Sequence, residues 1–137
     1  MGVDGFEWMR RIVLGVTGAI CLAYAGGVIM AGGPRPFAPW LPGSAGVLSG
    51  LAIYLAWRAD KRVARMASDE GYAMDWGRAQ RHAYWVALGL YPVFGLLLGG
   101  GIVDFEQAFA AIGTLTGGAV LTLFVIYDLM GRSHGAE

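Results

Sequence analysis

The side chains able to do chemistry are few in this chain, and their positions limit what that chemistry could be. Two histidines, His82 and His134, and one cysteine, Cys21, are its only imidazole and thiol groups. Haem held inside a membrane needs histidines at facing levels. His82 instead stands at the head of an apolar stretch and His134 in the C-terminal tail, so both read as solvated boundary residues. The sequence has no metal-ligand spacing, phosphate-binding glycine loop or nucleophile–base pair. The expectation is a non-enzymatic protein with no catalytic residue, no cofactor and no metal.

Proton-coupled transport asks for an ionisable group deep in the bilayer. The four-helix multidrug exporters of similar length carry such an acid in their first span, whereas residues 12–31 here hold neither acid nor base. Asp104 and Glu106 fall at a turn and Asp128 at the end of the last apolar stretch, all expected near water. Pro92 is the one interior irregularity; it should kink its helix by freeing the carbonyl of Leu88. Tyr91, Thr114, Thr116 and Thr122 could add a small polar pocket beside it, although threonines that satisfy backbone groups at a kink are the commoner arrangement.

Charge and aromatic rings coincide in one place, residues 58–82. Asp69, Glu70, Tyr72 and Trp76 could form an acidic-aromatic epitope, the acids steering a basic partner and the rings supplying contact area. The segment holds six bases and four acids, a mixture that argues against a pure anionic-lipid tether.

These residues must be positioned by four apolar stretches, 12–31, 40–57, 83–103 and 105–129. About 20 helical residues cross the roughly 30 Å hydrocarbon layer. Composition agrees, with 56% hydrophobic and 15% charged residues against about 25% charged in a soluble domain. A net charge of zero argues against direct nucleic-acid binding. The fold expected is all-α and polytopic, a single membrane domain over 1–137, built as a four-helix bundle of two antiparallel hairpins. Arg10-Arg11 before an apolar run and Ala23-Tyr24-Ala25 could suggest a cleaved signal peptide, but the run continues through Val28, Ile29 and Met30 and reads as a retained span.

Nine of the ten Lys and Arg residues lie on one side of these spans, Arg35 being the exception. The positive-inside rule puts both termini and the 58–82 loop in the cytoplasm, in a bacterial-type inner membrane. Trp8, Trp57 and Trp85 fall near the inner boundary and Phe37 and Trp40 near the outer one. In the loop, the second helix should continue to about Ser68, Gly71 should end it, and Asp75 should cap a new helix from Trp76. The three prolines of 32–39 forbid helix there, and Gly99-Gly100-Gly101 makes a tight turn.

Glycine is abundant, 23 residues in 137 where about 7% is usual. Small residues recur every four positions: Gly15, Ala19, Ala23 and Gly27 in span one, Gly46 and Gly50 in span two, Gly95 and Gly99 in span three, Thr114 and Gly118 in span four. Each row fits close helix packing, within the bundle or against a neighbour. Val47-Leu48-Ser49 and Ile53-Tyr54 match Val120-Leu121-Thr122 and Ile126-Tyr127 at a constant offset of 73, a faint parallel repeat.

The run from Asp69-Glu70 through Arg78-Ala79-Gln80 into Ala83-Tyr84-Trp85 resembles small four-span bacterial membrane proteins that are uncharacterised and often encoded beside helix-turn-helix regulators. The resemblance covers about 20 residues, and the seven residues 71–77 lengthen the usual spacing. It implies a protein that holds or inhibits a regulator at the membrane. Three functions follow as expectations: an adaptor that binds a partner protein through its cytoplasmic loop, an accessory subunit that contributes helix surfaces to a larger membrane complex, and a small oligomeric transporter or channel; the partner expected beside the lipid bilayer is another protein or a homo-oligomer.

Overall fold

A computed structural model describes residues 2–31 and 40–133, with side chains through Gly131. The proline turn at 32–39, Phe37 within it, and His134 lie outside the described residues. The elements are α1 (Val3–Met30), α2 (Trp40–Ala59), α3 (Lys61–Met66), α4 (Glu70–Gly99) and α5 (Phe105–Ser133). Among the described residues, α1, α2, α4 and α5 are long and apolar enough to cross a membrane.

Helix boundaries follow local hydrogen-bonding chemistry. The Asp60 carboxylate accepts from Val63 N at 3.1 Å and opens α3, and Asp69 accepts from Tyr72 N at 3.0 Å and opens α4. Helix two therefore breaks at Asp60 rather than running on to Ser68, and Asp69, not Asp75, is the cap. Gly71, expected to end a helix, sits in the first turn of α4. A reciprocal capping box starts α5, with Asp104 Oδ1 accepting from Gln107 N and Gln107 Oε1 from Asp104 N, both at 2.7 Å. Ahead of it, Gly101 takes φ +68 while Ile102 N donates to Leu97 O and Gly101 N to Leu98 O. This is a Schellman end, where a side chain would be strained.

α5 lies between α1 and α4 and runs antiparallel to both. Against α1, Gln107 Nε2 donates to Val28 O at one end, Gly118 faces Gly18 midway and Asp128 meets Arg11 at the other end. Against α4, Phe94 packs on Val103, Ala108 and Ala111, and Tyr127 bonds His82. α2 packs on α1 and α3, and none of its residues is buried.

The small-residue rows do not mark the packed faces. A Cβ at Gly118 would stand 2.9 Å from Leu22 and 3.2 Å from Gly18 O, and one at Gly18 would stand 2.8 Å from Thr122 Oγ1, so α1 and α5 approach closely there. Gly118 was expected; Gly18 was not. Ala19 and Ala23 are exposed, Gly15 would make only ordinary contact, and Gly46, Gly50, Gly95 and Gly99 open onto empty space. The reason is geometric. At 3.6 residues per turn a strict four-residue row drifts about 40° per step. The buried face of α1 instead mixes steps of three and four through Leu14, Thr17, Gly18, Cys21, Tyr24, Ala25 and Val28.

Candidate functional site

The polar centre of the molecule is at the N-terminal end of α1, where two arginines are buried, Arg10 at 3% exposure and Arg11 at 4%. Arg11 Nε donates to Asp128 Oδ2 on α5, and its Nη2 lies 3.5 Å from Glu7 Oε2, one turn back on α1. Arg10 Nη2 sits 3.9 Å from the other Asp128 oxygen, and its Nη1 donates to Ala67 O at 2.8 Å. The Arg10 guanidinium also covers the Tyr72 ring, 4.2 Å from its centre. One side chain thus joins α1 to α5, to the end of α3 and to the start of α4.

Asp128, expected near water, is instead a largely enclosed counter-ion whose side chain is 12% exposed. Both arginines, counted in the sequence only as topology signals, are structural. The Glu7–Arg11 spacing of four residues on one helix was the available signal for the cluster.

Phe124, fully buried, is the floor beneath this site. Tyr72 and Trp76 meet it edge-on with ring centres at 5.3 and 5.2 Å. Three of the four residues of the expected epitope are therefore engaged with the fold: Asp69 as a cap, Tyr72 under Arg10, and Trp76 on Phe124. Glu70 is exposed in the first turn of α4. A cavity of about 220 Å³ opens beside the cluster, lined in part by Glu7, Arg10, Asp69, Tyr72, Asp75 and Asp128. Next to it, Tyr127 shares a 2.6 Å hydrogen bond with His82 Nδ1, and Arg78 lies 5.5 Å from the Tyr127 ring centre. Guanidinium groups donate hydrogen bonds and accept none, and this arrangement fits them to clamp helix ends together.

Elsewhere the hydroxyl groups mostly serve their own helices. Thr17 donates to Val13 O and Ser49 to Ala45 O, and the two oxygens also meet across α1 and α2. Thr114 donates to Ala110 O at 2.7 Å. Tyr91 and Pro92 are exposed, and α4 continues through Pro92. The chain matches no protein-family model, and no curated protein or solved structure matches it.

Proposed function

We propose that the chain is a non-enzymatic membrane subunit that offers helix surfaces, chiefly α2, to a partner protein or to a second copy of itself. One observation carries this reading: α2 buries none of its residues, and its Gly46 and Gly50 face open space. Small residues on lipid-facing helices allow close approach by another helix. The ion cluster and the Gly18–Gly118 crossing hold α1, α4 and α5 together, which leaves α2 as the outboard element. In this reading the protein sits in a bacterial-type inner membrane with both termini and the α3 region in the cytoplasm, as the distribution of nine bases against one supports.

A second reading, the cytoplasmic adaptor, is supported by Glu70, Met74 and Arg78, exposed at four-residue spacing along the start of α4. The two part on one experiment. Filling both α2 glycines, Gly46→Leu with Gly50→Leu, should abolish association in blue-native gels from mild detergent while the monomer stays folded, because none of the described residues stands within 4 Å of a Cβ at either position. Should association survive the filling and be lost in Glu70→Lys with Met74→Glu, the adaptor reading replaces this one.

A further inference from the structure

The acids of the 58–82 segment are unevenly placed: of its four, only Asp60, the exposed N-cap of α3 that accepts from Val63 N, lies among Arg58, Lys61, Arg62 and Arg65, whereas Asp69, Glu70 and Asp75 belong to the start of α4. Arg58, Lys61, Arg62 and Arg65 are all exposed, and among the described residues none of the four forms an ion pair. α3 is also two-sided. Ala64 is buried against Phe6 of α1, and Val63 packs on the same cluster, whereas Lys61, Arg62 and Arg65 point away from it.

Depth places those bases beside lipid headgroups. α3 packs on Val3, Phe6 and Met9, and Met9 and Phe6 lie about 4.5 and 9 Å along the helix beyond Ile12, where the apolar run begins, so together they bracket the headgroup layer. The headgroup layer is about 5–8 Å deep on each side of the hydrocarbon. Trp57, two residues before the end of α2, is partly exposed, as suits an interfacial residue.

We propose that Lys61, Arg62 and Arg65, with Arg58 at their edge, form a binding strip for anionic phospholipid, the phosphates of phosphatidylglycerol-type headgroups being its ligands. The strip goes beyond the proposed α2 association and shares with it only the insertion of the long helices in a bilayer. Each base near an anionic surface is worth about fivefold in association, so removal of three should weaken lipid retention by roughly a hundredfold.

The test uses the full chain in mild detergent, with native mass spectrometry counting retained dioleoyl phosphatidylglycerol against dioleoyl phosphatidylcholine. Wild type should prefer phosphatidylglycerol. Lys61→Gln/Arg62→Gln/Arg65→Gln should lose that preference with unchanged helical content, since the three side chains are exposed. Arg78→Gln/Arg81→Gln, of equal charge type on α4, should keep it. Equal retention of the two lipids by wild type, or an undiminished preference in the triple variant, overturns the strip. Loss of the preference in 10 mM inorganic phosphate at constant ionic strength would overturn the lipid assignment in favour of a free-anion site. Failure to float with vesicles of either lipid would contradict membrane insertion itself, and is thereby distinguishable from failure of the strip.

Discussion

Among the described residues Asp128 is the carboxylate that pairs with both buried arginines, which makes its removal the sharpest perturbation of the fold. Asp128→Asn keeps the size and one acceptor oxygen but removes the charge. At about 4 Å and an effective dielectric constant of about 20, one such attraction amounts to about 4 kcal/mol. Desolvation offsets most of it while the pair is intact, but the guanidiniums stay buried when the acid goes, so one-sided breakage costs about 3–5 kcal/mol. Glu7 remains 3.5 Å from Arg11, and the Asp128 side chain is 12% exposed, so water can partly compensate. The lower end, about 3 kcal/mol, is therefore expected. Equilibrium unfolding of the full chain in mixed micelles of rising dodecyl sulfate content measures it. Arg11→Met made in the Asp128→Asn background should cost clearly less than Arg11→Met made in the wild type, the coupling expected of a paired ion. An Asp128→Asn variant within about 0.5 kcal/mol of wild type would refute the clamp, because surface substitutions lie in that range.

Three other perturbations separate packed from open positions. Gly118→Leu should destabilise the chain by about 1–3 kcal/mol in the same unfolding assay, since even a Cβ meets Leu22 at 2.9 Å, whereas Gly95→Leu should leave the monomer unchanged. Phe124→Ala should cost about 3 kcal/mol and shift tryptophan emission to the red, because Trp76 loses the ring it packs on. Asp69→Ala should cost about 1 kcal/mol through loss of the α4 cap, and Asp69→Asn much less; hydrogen exchange at Tyr72 N reads the difference.

The four long apolar helices were legible because length and hydropathy alone define them. Their ends were less so. Asp75 and Asp69 are equally good caps by type, and only the packing of Tyr72 and Trp76 on Phe124 makes the earlier start worthwhile. The ion cluster was missed because Arg10 and Arg11 sit where topology already explains bases, and Asp128 is 117 residues from Arg11. Nothing local joins them. The small-residue rows located the packing within the chain only at Gly118, because a four-residue repeat is not a straight face on a helix; on α1 the crossing uses Gly18, one residue away from the row through Gly15 and Ala19. The faint repeat between halves does not extend to environment, because α5 is flanked by α1 and α4 while α2 is outboard.

The central claim, association through α2, is tested most directly by photocrosslinking in intact membranes. A benzophenone amino acid is placed singly at Val47 or Gly50 on α2, at Met74 on the exposed start of α4, and at Leu96 on the exposed face of α4. Protein adducts of one defined mass from Val47 and Gly50, weak or absent from Met74 and Leu96 and lost when Gly46 is changed to Leu, are the result predicted. Adducts confined to Met74, with only lipid captured at Val47 and Gly50, would contradict it.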